Sequence, residues 1–318
     1  MRGCNYVSLK EEIFRLPGAT TVWHKLRPFP RESDYEKPFR TAEEANDLIH
    51  KGLASEAPFL TARIGGNECG CLRFYLARRR RRRRPTPYRA STVAEMQAGP
   101  GFFGATNANL DRFAEEYLGA IRHVDVIGAF FWRGENRVIR EFCPSAELIM
   151  GPDIEPYYHA NPWSRVLSGR RVLVIHPFAE SIRKNYEKNR ERLFRDTQVL
   201  PAFSLRVIRA VQSIAGEPTD FRTWFDALEH MKKEMDATTY DVCIVGAGAY
   251  GLPLAAHAKE SGRQAVHMGG ATQIFFGIQG RRWDNHEIIS NLYNDHWVRP
   301  NPAEVPRNYQ AVENGCYW

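Results

Sequence analysis

The sequence contains no long apolar run. None of its apolar stretches approaches the ~20 residues that a membrane-spanning helix needs, and its first residues lack the apolar segment of a secretory signal peptide. Hydrophobic residues make up 43% and aromatic residues 12% of the 318 positions, as in ordinary globular proteins. We therefore expect a cytoplasmic protein without a transmembrane segment, built as one large α/β unit or as two domains.

The six cysteines lack the CxxC pairs and the Cys/His spacing that zinc sites require. Cys243 lies in a run that is predicted to be a buried strand, where a free thiol acts as a small apolar side chain. We expect all six thiols to be reduced. Neither a disulfide framework nor a zinc site is predicted.

The net charge of +7 is concentrated in an unbroken run of seven arginines at residues 78–84. Such a run repels itself unless an anionic partner neutralises it. An anionic membrane surface, a polyanionic acceptor or a nucleic acid would do so, and a solvated loop is the alternative that needs no partner. No aromatic pattern typical of an RNA-binding sheet lies nearby.

Predicted strands alternate with predicted helices through most of the chain. This alternation favours a Rossmann-like α/β fold with a mostly parallel sheet and helices on both faces. We divide the chain into an N-terminal helical and loop extension (residues 1–55), an α/β domain (56–280) and an aromatic-rich C-terminal tail (281–318) that packs on this domain. Since the carboxyl ends of parallel strands share one edge of a sheet, motifs that follow strands are candidates for the site.

A glycine-rich turn follows the predicted strand at residues 242–245. Such a turn at the start of a helix directs backbone N–H groups at an anion, usually a phosphate. A dinucleotide site normally adds a carboxylate roughly 20 residues later, whereas the strand at 264–268 is followed by two glycines. The turn therefore favours a phosphate-bearing ligand other than a dinucleotide, and an NAD(P) site is an alternative. A third explanation, in which the glycines only allow a strand and a helix to pack closely, needs no ligand. The candidate contacts of this turn are Gly246, Gly248, Tyr250 and Gly251.

Three further motifs follow predicted strands. Arg63 can hold a diphosphate in a fork geometry, and Glu68 can bind a metal, orient a sugar hydroxyl or take a proton, unless the two merely pair with each other. His176 and Glu180 form a candidate acid/base pair, or else mark the start of a helix. Candidate hydrogen-bond partners of a phosphate or sugar lie after the strand at 264–268, and they are His267, Gly269, Gly270, Thr272 and Gln273.

The segments at 62–68, 174–182, 246–251 and 267–278 together resemble bacterial and viral polysaccharide-biosynthesis proteins that are grouped with the GT-D-fold glycosyltransferases. The resemblance runs from about residue 58 to residue 318. It implies a GT-D-like fold and the transfer of a sugar from a nucleotide-diphosphate donor to a glycan or another hydroxyl acceptor.

In the family that the chain resembles, an Arg-x-Gly-Asp-x-Glu turn supplies an Asp-x-Glu pair for Mn²⁺ or Mg²⁺. This chain keeps Arg63, Gly65 and Glu68 but has Gly66 in place of the aspartate. Either Glu68 holds a weakly bound Mg²⁺ together with donor phosphates and waters, or Arg63 and other cations replace the metal.

The favoured hypothesis is a nucleotide-sugar-dependent glycosyltransferase. Arg63 and backbone amides, including those of Gly65 and Gly66, hold the donor, Glu68 binds a metal, the ribose or the sugar, and His176 or Glu180 is the general base. An NAD(P)-dependent oxidoreductase and a nucleic-acid-binding protein that uses the arginine run are the alternatives. A homo-oligomer is compatible with each of them.

Overall fold

The computed structural model describes residues 29–80 and 86–318. In this part of the chain, seven strands form one sheet in the order β3-β2-β1-β7-β6-β4-β5, and all neighbouring strands are parallel. The strands are β1 (Phe59–Arg63), β2 (Val126–Ala129), β3 (Glu147–Met150), β4 (Arg171–His176), β5 (Ser204–Arg209), β6 (Val242–Val245) and β7 (Gln264–His267).

Helices cover both faces of the sheet, so the predicted Rossmann-like α/β class is confirmed. The α-helices of the described ranges are α1 (Ala42–Ala54), α2 (Gly66–Arg80), α3 (Ala90–Ala98), α4 (Asn107–Ile121), α5 (Glu135–Phe142), α6 (Ala179–Leu193), α7 (Trp224–Asp236), α8 (Gly251–Glu260) and α9 (Ala271–Phe275).

The central strands read as continuous apolar runs because they are buried on both faces. All four residues of β6 are buried, and alternate residues of β4 join different apolar clusters: Leu173 belongs to the cluster that includes α4, α7 and α8, whereas Val174 belongs to the cluster that includes α1 and α6. This two-sided burial holds the sheet in the middle of the molecule and leaves its carboxyl edge to carry the loops.

The chain order gives this carboxyl edge its layout. From β1 the chain moves outward to β3, crosses to β4 and β5 on the other side, and returns through β6 to β7, which pairs with β1. The loops that follow β1, β2, β3 and β7 are therefore neighbours. The strands β4 and β6 are neighbours, but the chain leaves β4 toward β5 on one side and leaves β6 toward β7 on the other. In open α/β sheets, ligands usually bind in the crevice at such a point.

The two ends of the described chain pack on the sheet. Ile49 and Leu53 of α1 are buried in one apolar cluster, and Trp297 joins the same cluster and donates from Nε1 to the carbonyl oxygen of Leu193 at 2.9 Å. The divisions at residues 55 and 280 stay predictions, and residues 1–28 lie outside the described part.

Several sequence-based expectations meet the structure only in part. The cysteines within the described residues are free and buried. Cys4 lies outside those residues. Among the helices of the described ranges, none is both long and apolar enough to span a bilayer. Residues 81–85, which include most of the arginine run, lie outside the described residues, so the anionic partner of that run stays a prediction.

Candidate functional site

Arg63 ends the strand β1 and is partly exposed. Its guanidinium carbon lies 3.8 Å from the centroid of the Phe130 ring, which follows β2. On another side it borders the turn after β7, because a Cβ atom at Gly269 would lie 3.7 Å from Arg63 Cδ. No carboxylate of residues 29–80 or 86–318 forms an ion pair with it. The cation is thus held by stacking and retains its hydrogen-bond donors for an anion.

Glu68 lies in the first turn of α2 and is buried. Its carboxyl group folds against Gly65, where a Cβ atom would lie 2.1 Å from Glu68 Oε2. This contact explains why the turn after β1 needs glycine. Burial raises the pKa of Glu68, while its own backbone N–H and the charge of Arg63 act in the opposite direction. The sequence-predicted pair of Arg63 and Glu68 is therefore brought together, with the carboxyl inside and the guanidinium outside.

Glu155 is a candidate that sequence reasoning missed. It follows β3 and accepts a hydrogen bond from the Tyr157 hydroxyl. Burial raises the pKa of Glu155 to about 7, and the Tyr157 hydrogen bond and the positive charge of Arg63 limit this rise. A carboxyl group that titrates near neutrality beside an unpaired guanidinium is a frequent feature of functional sites. No local motif marks Glu155, because the fold alone brings the β3 loop beside β1.

Trp132 covers the position where the resembled family has its metal-binding aspartate. A Cβ atom at Gly66 would lie 3.4 Å from Trp132 Cδ2, and the Trp132 ring is nearly parallel to that of Phe130, at 12° and 6.3 Å between centroids. The first side-chain atom of an aspartate at residue 66 would therefore contact this indole.

The donor set beside Arg63 does not fit a protein-held divalent metal. Glu68 is its single carboxylate in the turn, and its Oε2 lies against Gly65. Among residues 29–80 and 86–318, no three His, Cys, Asp or Glu side chains gather as a metal site would require. The residues present therefore do not form the Asp-x-Glu metal site that the resemblance implies.

The glycine-rich turn after β6 is filled by the chain itself. A Cβ atom at Gly246 would lie 2.6 Å from the Gly269 carbonyl oxygen and 2.7 Å from Thr272 Oγ1. At Gly251 it would lie 2.2 Å from His267 Cε1. Gly248 has a φ of +52° and would meet the Pro100 carbonyl oxygen at 2.5 Å. These contacts favour close packing as the reason for the glycines and weigh against a dinucleotide at this turn.

The other predicted contacts of the turns after β6 and β7 are mostly structural. Tyr250 stacks on Trp224 with 4.8 Å between ring centroids. Thr272 Oγ1 donates to the Val245 carbonyl at 3.3 Å, and Gln273 Nε2 donates to the Tyr317 carbonyl at 3.1 Å. Tyr250 thus contacts α7, Thr272 is bonded to the end of β6, and Gln273 is bonded to the C-terminal tail.

Both buried histidines are held in the neutral form. His176 Nδ1 accepts the backbone N–H of Phe178 at 3.0 Å, and burial lowers the pKa of His176 to about 3. Because Nδ1 is an acceptor, the neutral ring carries its proton on Nε2. Burial lowers the pKa of His267 to about 4, and the positive charge of Arg63 acts in the same direction. His176 is therefore a poor general base.

Glu180 lies in the first turn of α6, and its side chain is partly exposed. Its carboxylate pairs with Lys184 and Arg183, which lower its pKa. The start of α6 is already occupied, because the buried carboxylate of Glu304 accepts the backbone N–H of Glu180 at 2.7 Å and both the N–H and the hydroxyl of Ser181. The chain itself thus supplies the anion that this helix end favours, and Glu180 is a weak base.

The C-terminal tail brings a second cation to the turn after β7. Tyr317 lies on Gly270, where a Cβ atom would be 2.7 Å from Tyr317 Cε1. The guanidinium carbon of Arg282 lies 4.7 Å from the centroid of the Tyr317 ring, and Arg282 Nη1 donates to the Tyr317 hydroxyl at 3.4 Å. Burial raises the pKa of Tyr317, and the charges of Arg282 and, more weakly, Arg63 oppose this rise. Arg282 also pairs through Nη2 with the carboxylate of Glu313, so its charge is already shared within the tail.

Comparisons with known proteins add little to this geometry. No family model matches the sequence, and no curated protein is significantly similar to it. The chain is similar to a solved structure described as the selenomethionine-substituted structure of domain of unknown function 1792 (DUF1792). That similarity has a TM-score of 0.34 and 10% sequence identity, and it covers 71% of this chain and 82% of that chain. At these values it establishes neither a family nor an activity.

Proposed function

We propose that this protein is a glycosyltransferase that moves a sugar from a nucleotide-diphosphate donor to a hydroxyl group of a glycan. One observation carries the proposal: the guanidinium of Arg63 is partly exposed, forms no ion pair with the described residues, and acts electrostatically on Glu155, whose pKa is about 7. Sugar transfer needs a cation for the leaving diphosphate and a base that is active near neutrality. The motif resemblance to GT-D-fold enzymes supports the same reaction.

The roles follow from charge and position. Glu155 accepts the proton of the acceptor hydroxyl as its oxygen bonds to the anomeric carbon of the donor sugar. The bond between that carbon and the diphosphate oxygen breaks, and its electron pair leaves with the diphosphate. Arg63 neutralises the departing charge. Glu68 supports the turn that carries Arg63.

This assignment gives the general-base role to Glu155 instead of His176 or Glu180. The Nδ1 atom of His176 is already used by Phe178, and the Glu180 carboxylate is paired on the surface. In this proposal Arg63 binds the diphosphate without a protein-held metal. A cytoplasmic location, proposed with this function, agrees with the free cysteines of the described chain.

A thermal-shift screen tests the proposal. The purified protein is screened with UDP-, GDP- and dTDP-sugars, with CMP-sugars as a monophosphate comparison, and with NAD(P), each in Mn²⁺ and in EDTA. We expect one diphosphate sugar to raise the melting temperature equally in both conditions. The active donor is then tested for hydrolysis and transfer.

The chain offers a matched control for Arg63. Arg112 on α4 also stacks at 3.8 Å on a phenylalanine ring, that of Phe225. Arg63→Ala should remove the donor-dependent shift, and Arg112→Ala should retain it. An equal shift in Arg63→Ala, or a shift with NAD(P) alone, would overturn the proposed function.

A further inference from the structure

The carboxylate of Glu135 gathers the loop that supports Arg63. Glu135 is fully buried at the start of α5. Its Oε2 atom accepts the backbone N–H of Phe130 at 3.0 Å, the backbone N–H of Trp132 at 3.2 Å and the hydroxyl of Tyr35 at 2.9 Å. One oxygen thus fixes the backbone on both sides of residue 131.

This loop has a backbone conformation that needs support. Phe131 has a φ of 60°, in the left-handed region that bulky residues rarely adopt. Such conformations persist where the surrounding structure holds them. Here the hydrogen bonds to Glu135 flank the strained residue, and the Tyr35 ring packs edge-on against the Phe131 ring at 5.7 Å between centroids.

The two residues whose N–H groups Glu135 holds are the aromatic residues that contact Arg63 and Gly66. Phe130 lies 3.8 Å from the guanidinium carbon of Arg63, and Trp132 covers Gly66 in the same turn. We infer that Glu135 is a positioning residue, which fixes the Phe130–Trp132 loop and thereby orients the Arg63 guanidinium toward its anionic ligand. The identity of that ligand rests on the proposed function, whereas the positioning itself does not.

Two site-resolved measurements on the full chain test the inference without any substrate. Amide hydrogen exchange reports the N–H groups of Phe130 and Trp132, and the rate of phenylglyoxal addition, mapped by mass spectrometry, reports Arg63. Glu135→Gln replaces the carboxyl group with an amide of nearly the same shape, which is a weaker hydrogen-bond acceptor. We expect about fivefold faster exchange at both amides. Loss of the stacking contact should make addition at Arg63 about threefold faster.

A similar carboxylate elsewhere provides the control. Glu304 also holds two backbone N–H groups and a hydroxyl, at the start of α6. Glu304→Gln should destabilise the protein without changing either rate at the Arg63 site. Tyr35→Phe removes one donor but leaves the carboxylate in place, so amide exchange at residues 130 and 132 should stay close to that of the wild type.

The outcomes separate positioning from general stability and from the proposed function. Wild-type addition at Arg63 in Glu135→Gln, or an equal acceleration in Glu304→Gln, overturns the inference. Faster addition in Glu135→Gln alone supports it, even if the donor screen is silent. A positive donor screen with unchanged labelling in Glu135→Gln would keep the proposed function and refute the role of Glu135.

Discussion

Replacement of His176 by Asn should make the protein less sensitive to acid. The asparagine Oδ1 can take the place of His176 Nδ1 as the acceptor for the Phe178 N–H, but it does not titrate. In the unfolded chain the His176 pKa returns to about 6.5, whereas burial lowers it to about 3 in the folded protein. Between these pH values the unfolded chain binds more protons, so acid favours unfolding.

The size of the effect follows from the two pKa values. The stabilisation from neutral His176 is fully present above pH 6.5 and is lost as the pH falls toward 3. At pH 5 the wild type should have lost about 2 kcal/mol of its free energy of unfolding through this residue. The buried carboxyls of Glu135 and Glu155 have raised pKa values and give the opposite slope, but they are shared by both proteins and cancel in the difference.

Urea unfolding at pH 7 and at pH 5 measures this difference. The stability gap between wild type and His176→Asn should narrow by about 2 kcal/mol at the lower pH. His230→Asn, at an exposed position on α7, serves as the control for the substitution itself. A gap that is independent of pH would refute the reasoning, because it would mean that His176 takes up a proton without cost and is available as a base after all.

Three other outcomes are expected. Glu155→Gln should keep the donor-dependent thermal shift but reduce transfer by about 10²- to 10⁴-fold, and wild-type transfer should fall below pH 7 as this carboxyl group is protonated. Gly248→Ala should lower the melting temperature and reduce the free energy of unfolding by about 1–3 kcal/mol, because φ is +52° and the new methyl group would lie 2.5 Å from the Pro100 carbonyl oxygen. An unchanged melting temperature would contradict this. Glu180→Gln should transfer sugar at the wild-type rate, and a large loss would restore Glu180 as the base.

The fold class was predictable because its signal is local. The apolar runs of β4 and β6 and the glycines that follow strands are patterns of neighbouring residues. The strand order was not predictable in this way, because the pairing of β1 with β7 joins residues such as Phe59 and Gln264 that are far apart in the chain. Such pairing depends on how the helices pack, which no short motif specifies.

The candidate site was predictable only where the residues that contact each other are also close together in the sequence. Arg63 and Glu68 lie on one turn, so their proximity follows from their spacing. Glu155 reaches the same place through the loop after β3, and Glu135 acts through backbone N–H groups, which leave no mark on the sequence. The glycines at 246–251 were ambiguous for another physical reason: close approach to a ligand and close approach to the chain itself demand the same absence of a side chain.

The position of β1 has a consequence for how the chain folds. This strand is the first of the sheet in the sequence, yet its partner β7 is the last, so the middle of the sheet closes only when residues 264–267 arrive. During synthesis, one side of β1 therefore exposes unpaired backbone groups while most of the domain is still being made. Long-range parallel pairing of this kind slows folding and exposes strand edges to aggregation. Chains that end before β7 should consequently accumulate in aggregates, and their solubility should be recovered only when β7 is included.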